Sequence, residues 1–127
     1  MASPADYRFS DSHEWFKVDG DVVTVGISKY AADELTDITY VEMKPVGTRV
    51  QPGGSLGEVE SVKTTSDVYS AVGGEVVEVN GAVAQDPSLV NSDSFGAGWL
   101  VKLRCADTAP IATLMDAASY DQRHPVA

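Results

Sequence analysis

A single cysteine, Cys105, stands in the 127 residues, so no internal disulfide can form and no CxxC pair can hold zinc. A reducing compartment is the simplest context. With 43% hydrophobic and 22% charged residues, the chain has the composition of one globular domain that folds on its own core without staples. Positive charge is scarce: Lys and Arg total 9 against 19 Asp and Glu, a formal net charge of -10. Polyphosphate surfaces are bound by clustered cations that displace counterions, so neither nucleic acid nor an anionic membrane is an expected partner. No apolar run approaches the ~20 residues that span a bilayer. The opening Met1-Ala2-Ser3-Pro4-Ala5-Asp6 has neither a basic start with an apolar run nor an Arg-rich, acid-poor character. The expected location is therefore the cytoplasm, or the mitochondrial matrix only if a transit peptide has been removed.

Catalytic patterns are missing as well. The sequence holds no P-loop, no GxGxxG after a strand, no HExxH and no GxSxG. His13 and His124 are the only imidazoles; His124 falls in an expected frayed tail over 121–127, and His13 reads as a solvated surface group before it reads as a base. Cys105 follows a strand and has no basic partner in sequence to activate it. A non-enzymatic protein is expected.

What is present is strand and turn. Trp15-Phe16-Lys17-Val18, a turn at Asp19-Gly20, and alternating Val23, Val25 and Ile27 predict a hairpin. Ser28 can cap a short helix through Leu35, and strand character returns over 38–43. From Val46 to Pro87, β-branched runs alternate with glycine turns at Gly53-Gly54, Gly73-Gly74 and Asn80-Gly81, the pattern of a sandwich or flattened barrel. Adjacent Val76 and Val77 break the alternation, as at a bulge or in a strand buried on both faces. Segments 46–50 and 74–79 echo one another. A strand over 99–103 follows, and Pro110 can open a helix over about 110–120 with Ile111, Leu114, Met115 and Ala118 on one stripe. Trp15 and Trp99 read as core or rim anchors.

Lys63 is the only lysine between Lys44 and Lys102, and it falls where the tip of a hairpin is expected. Four methylenes on an exposed tip make a flexible tether for an acyl group, although position alone favours a polar gatekeeper on a turn. The surrounding run Glu58-Val59-Glu60-Ser61-Val62-Lys63-Thr64-Thr65-Ser66-Asp67-Val68-Tyr69-Ser70, continuing through Gly74-Glu75-Val76-Val77-Glu78-Val79-Asn80, closely resembles the lipoyl-lysine segment of the glycine cleavage H-protein family. Ser12-His13-Glu14-Trp15 resembles the family's opening motif, Val25-Gly26-Ile27-Ser28-Lys29-Tyr30-Ala31 its strand-to-helix segment, and Leu89-Val90-Asn91-Ser92-Asp93-Ser94 with Gly98-Trp99-Leu100 its late strand region. The resemblance covers about residues 7–120, in the family's order. Ala71 stands where a proline is common, and Gly73 precedes the usual Gly-Glu pair; both alter a turn and leave the lysine untouched.

The resemblance implies a mainly β fold of the lipoyl/biotinyl hammerhead type, a flattened β-barrel or sandwich with short helices, one near the C-terminus. It implies one lipoyl-carrier domain over 1–127 with its hairpin core over about 38–103. It implies lipoic acid as a covalent cofactor on Lys63, and Ser12, Glu14 and Asp67 lining a pocket for the aminomethyl arm. The implied partners are glycine decarboxylase, a pyridoxal phosphate enzyme, an aminomethyltransferase that uses tetrahydrofolate, dihydrolipoamide dehydrogenase, and a lipoyl-attaching enzyme. The implied carrier needs no catalytic residue of its own, and a monomer is expected because no segment presents an apolar stripe beyond what one core requires. A biotinyl domain is disfavoured because Val62 and Thr64, not methionines, flank the lysine, and Met43-Lys44 is followed by Pro45 at a strand end. An H-like lipoate relay, or a lipoyl domain of a 2-oxo acid dehydrogenase, is the alternative.

Overall fold

Period-2 alternation in the first long hairpin sets the two sides of the molecule. The computed structural model describes residues 6–124. Strands β1 (Arg8–Phe9), β2 (Glu14–Asp19) and β3 (Val22–Ile27) run antiparallel, with Gly20 at φ +64° in the turn between β2 and β3. Successive side chains point to opposite faces, so Phe16, Val23, Val25 and Ile27 enter one core while Trp15 joins Tyr7, Phe9, Ala117 and Tyr120 in a second, aromatic cluster on the other face. Glu14 shares the face of Phe16.

The chain then forms α1 (Lys29–Leu35), β4 (Ile38–Met43), β5 (Arg49–Val50), β6 (Ser55–Ser61), β7 (Thr65–Tyr69), β8 (Gly74–Val79), α2 (Gly81–Gln85), α3 (Ser88–Ser92), β9 (Val101–Arg104), α4 (Ala109–Ala112), β10 (Met115–Asp116) and α5 (Ala117–Arg123). One sheet has the order β10-β1-β2-β3-β9-β8-β5 and the other β4-β6-β7. Every pairing is antiparallel. The two sheets enclose the main core, with Leu56, Val59 and Val68 from the small sheet packed in one cluster with Val25, Val76 and Leu103 from the large one. They form an open sandwich and do not close into a barrel.

Several local expectations hold. Ser28 caps α1, its Oγ accepting from the Ala31 N–H at 3.1 Å. The β8–β9 register shifts between Val76 and Glu78, so Val77 is the extra residue of a bulge. The echoing segments lie side by side, β5 pairing with β8. Gly74 sits where a Cβ would come within 2.7 Å of the Arg104 carbonyl oxygen, so the strands there approach too closely for a side chain.

Four expectations fail for physical reasons. The single helix over about 110–120 is two helices split by β10, which pairs Met115 with Phe9 and Asp116 with Arg8. Asp116 starts the second helix, accepting from the Ser119 N–H at 2.8 Å; the buried positions are then Ala117 and Tyr120, and Ala118 is exposed. The expected tail from Asp121 is helix through Arg123, and His124 packs on His13; residues 125–127 lie outside the described residues. Asn80-Gly81 is not a hairpin turn but the start of α2, and Leu89 to Ser92 form α3 instead of strand. Helices of five residues are too short to print a 3.6-residue period.

His13 is likewise no solvated surface group. It adopts φ +74°, its Nδ1 lies 2.8 Å from the Tyr120 hydroxyl, and that hydroxyl lies 2.6 Å from Ser28 Oγ. Burial pushes the Tyr120 phenol up to about 12, so the phenol stays protonated as a link in this chain. Burial first, and then the His124 imidazole, hold His13 below its ordinary 6.5, with Asp11 and Glu34 opposing.

Two outcomes follow from the packing. Gly57 has φ +147°, and a Cβ there would come within 2.3 Å of the Glu42 carbonyl oxygen and 2.6 Å of Met43 Cα. Gly57→Ala is therefore expected to destabilise the fold by about 3 kcal/mol through strain and overpacking, read as a lower urea midpoint. For His13, the unfolded chain binds a proton below pH 6.5 that the folded imidazole resists. Stability is thus present above that value and lost as pH falls through it toward the lower folded value. The melting temperature should drop between pH 7.5 and 5.5, and His13→Asn, which tolerates positive φ, should flatten that slope.

Candidate functional site

The β6–β7 hairpin carries Lys63 in a three-residue loop, 62–64. Ser61 builds the loop: its backbone N–H donates to the Thr64 carbonyl at 2.8 Å, and its Oγ accepts from the N–H groups of Lys63 and Thr64 at 3.1 and 3.2 Å. A serine hydroxyl satisfying two turn amides is local chemistry that sequence alone can encode. The loop also leans on the α1–β4 connection. Val62 N–H donates to the Asp37 carbonyl at 3.1 Å, and Lys63 Nζ donates to the Glu34 carbonyl at 2.9 Å. That carbonyl lies in the last turn of α1, where unpaired carbonyls favour a cation. Lys63 and Val62 are exposed, Val62 at 67%.

Beside the loop opens a cleft of about 310 Å³ between α1, the start of β2 and the edge strand β7. Ser12, Glu14 and Asp67, far apart in sequence, all line it. Glu14 is 1% exposed because it follows the inward phase of β2 to the strand's end. A buried carboxylate costs several kcal/mol unless paired or hydrogen-bonded. Here Oε1 accepts from Ser10 Oγ at 2.6 Å and Ser12 Oγ at 2.5 Å, while Oε2 accepts from the Tyr69 N–H at 3.1 Å. Asp67 stands exposed on β7, with Oδ2 accepting from the Tyr69 hydroxyl at 3.2 Å. The bond raises the Tyr69 phenol above its ordinary value, and the Asp67 charge adds to the effect.

Ile27, Leu35, Val59 and Val68 give the cleft apolar walls, and His13 and Tyr30 line it as well. An apolar floor with three acidic residues, Glu14, Glu34 and Asp67, around it suits a flexible aliphatic chain that ends in a cation. Glu34 belongs to both features: its carbonyl receives Lys63 Nζ, and the residue lines the cleft. A group tethered at Nζ therefore starts at the cleft's mouth, and a covalent lipoyl amide fits there. His13 was not foreseen in the site; its neighbour Glu14 in the same short segment was the only available signal.

The outer face of the small sheet is acidic. Glu42 is the Cα partner of Glu58, and Glu58 in turn is the partner of Asp67. Like charges directly opposite across strands disfavour pairing by roughly 0.2–1 kcal/mol each. The four ion pairs among the described residues lie elsewhere. Cys105 is remote from the cleft, beside a different cavity lined by Arg49, Gly74 and Arg104. It is 1% exposed, and burial pushes its thiol up, which is the opposite of activation. Among the described residues no three His, Cys, Asp or Glu side chains gather as metal ligands, and no helix is long and apolar enough to cross a membrane.

Comparison with known proteins agrees with this geometry. The family model described as glycine cleavage H-protein matches residues 7–125. The glycine cleavage system H protein of Parvibaculum lavamentivorans is 46% identical over 118 residues, covering 93% of this chain and 94% of the relative. That of a Synechococcus species is 47% identical over 120 residues, covering 94% and 93%. In the crystal structure of a glycine cleavage system H protein from Mycobacterium marinum, 100% of that chain and 98% of this one superpose with a TM-score of 0.88 at 35% identity. With its open β-sandwich, its exposed hairpin lysine and its acid-lined cleft, the chain belongs to the glycine cleavage H-protein family.

Proposed function

We propose that this chain is the lipoyl-bearing shuttle of the glycine cleavage system, with lipoic acid in amide linkage to Lys63 Nζ and Ser12, Glu14 and Asp67 lining the pocket that shelters its cargo. The observation that carries the reading is the placement of one exposed hairpin lysine at the mouth of a cleft that holds a buried carboxylate. When bound, the lipoyl group would supply a disulfide that accepts the aminomethyl carbon of glycine with reduction of its second sulfur, and the dithiol that remains once the carbon has passed on would be reoxidised. The partners are then a pyridoxal phosphate decarboxylase, a tetrahydrofolate-dependent aminomethyltransferase, dihydrolipoamide dehydrogenase and a lipoyl-attaching enzyme. The carrier acts as a monomer in the cytoplasm, where Cys105 stays a free thiol.

The chain's own residues do three things in this reading. The tightly bonded turn at Ser61 presents Lys63 at a fixed point. The apolar walls of the cleft exclude water from a folded-back arm. Glu14 and Asp67 favour the ammonium form of an aminomethyl cargo, since a negative charge within about 4–6 Å stabilises a cation; the neutral amine is the form whose lone pair can expel the thiolate, leaving an iminium that water hydrolyses to formaldehyde and ammonia. No nucleophile or general base is required of the protein.

Lys63→Arg is expected to fold as the parent does, because the exposed charge is kept, yet to lack the added mass of the lipoyl amide and all glycine-dependent reduction. Surviving reduction would place the arm elsewhere. Glu14→Gln with Asp67→Asn should leave fold and lipoylation intact, since the Ser10 and Ser12 hydroxyls can rotate to accept from the new amide. Loaded protein freed of the enzymes should then release formaldehyde and ammonia about tenfold faster, the change that a one-unit fall in the amine pKa brings. Equal decay in variant and parent would remove these carboxylates from the protective role.

A further inference from the structure

The connection between α1 and β4 is strained at one residue. Thr36 has φ +64° and ψ -139°, a region almost reserved for glycine and unfavourable for a β-branched side chain. Such a conformation persists only where the surroundings over-determine it. Thr36 bonds to its own helix through its N–H to the Asp33 carbonyl and its Oγ1 to the Leu35 carbonyl, and from outside that helix it is held by one side chain, that of Asn91 on α3. Its Nδ2 donates to the Thr36 carbonyl at 2.7 Å and to the Ala32 carbonyl at 3.3 Å, and its Oδ1 accepts from the Ile38 N–H at 2.9 Å. One amide therefore grips the last turn of α1, the strained residue and the first residue of β4 together.

The gripped segment is the one that the lysine loop rests on. Glu34 and Asp37, on either side of Leu35 and Thr36, supply the two carbonyls that receive Lys63 Nζ and the Val62 N–H. Neither the lysine loop nor its hairpin contributes a hydrogen bond to Thr36 itself. If the Thr36 backbone relaxed, the peptide plane between residues 36 and 37 would turn, the next plane, which pairs the Asp37 carbonyl with the Ile38 N–H that Asn91 receives, would turn with it, and the Asp37 carbonyl would leave the Val62 amide. We propose that Asn91, 28 positions beyond the lysine in sequence, is a positioning residue: by holding Thr36 in its strained conformation it fixes the Glu34 and Asp37 carbonyls, and with them the place at which Lys63 meets the enzyme that acylates it. The functional half of this inference rests on Lys63 being the lipoyl attachment point; the structural half does not.

The two halves are separated by two readouts on the full chain. The first is amide hydrogen exchange at Val62, which reports the bond to Asp37 whether or not the lysine is ever acylated. The second is the steady-state kinetics of lipoyl attachment to the unlipoylated protein as substrate. Asn91→Ala should speed exchange at Val62 about tenfold while amides of the β2–β3 hairpin keep their protection. It should also raise KM for the protein substrate several-fold with kcat little changed, the signature of a misplaced acceptor and not of lost chemistry. The decisive variant is Asn91→Ala combined with Thr36→Gly. Glycine adopts the conformation at residue 36 without strain, so it should restore slow Val62 exchange and the parent KM in the absence of the Asn91 amide.

A merely structural role for Asn91, in joining α3 to α1, would not be rescued by a glycine at residue 36. Failure of the double variant to recover overturns the proposal, as does parental Val62 exchange in Asn91→Ala. Should Asn91→Ala alone not fold, recovery of a folded chain by Thr36→Gly supports the inference and its absence overturns it. Restored exchange with no acylation of Lys63 in any form, the parent included, would leave the positioning device standing and remove the lipoyl-carrier reading.

Discussion

A buried carboxylate holds the two sheets in their working relation. Glu14 belongs to the large sheet through β2, and its Oε2 accepts the backbone N–H of Tyr69 at the end of β7 in the small one. β7 is the edge strand of the sheet β4-β6-β7, so this amide points away from its own ladder and would lack a partner without Glu14. The carboxylate answers that demand and has its own lone pairs met by two serine hydroxyls. Burying a charge is expensive even when it is satisfied, yet an apolar residue here would leave the Tyr69 amide unpaired. The seam is left polar at the cleft, where a charge can do something that a leucine cannot.

Much of this was legible in the sequence, and the reason differs from element to element. The β2–β3 hairpin showed itself by period-2 alternation, the 38–43 strand by its β-forming residue types, and the bulge at Val77 by a local failure of alternation. Ser28 announced α1 because capping is a one-residue, short-range interaction. Lys63 owed its assignment to the motif around it; its hairpin position was foreseen, but nothing in residue type distinguishes a tether from a gatekeeper. The misses were tertiary. Two five-residue helices carry no period to detect, and the stripe over 111–118 could not reveal that Met115 and Asp116 pair with β1, more than a hundred residues earlier. His13 looked isolated because its partners Tyr120 and His124 come from the far end of the chain.

The charge distribution is unusual for a small sheet that must fold. Glu42, Glu58 and Asp67 form a row across three strands, a pattern that pairing energy alone disfavours. A surface of this kind raises encounter rates with basic patches and shortens the stay once docked in salt. Both properties suit a protein that visits several enzymes in turn and must leave each. The cost falls on the sheet that carries the lysine, while ion pairs such as Arg49 with Glu75 and Lys102 with Glu78 offset charge on the large sheet.

The hydrogen-bonded stiffness of the lysine loop also sets a concentration. A group attached to a fixed point by a short flexible chain samples a volume of nanometre size, which corresponds to an effective concentration in the millimolar range for its own cleft. A cleft with only weak intrinsic affinity is then occupied for much of the time, yet a partner has little binding energy to overcome when it draws the group out. Were the loop floppy, the same chain would be diluted over a larger volume, and sheltering would demand a tighter cleft and a slower hand-over. In the proposed carrier, the bonds from the Lys63 and Thr64 amides to Ser61 Oγ would thus adjust how readily it gives up what it holds.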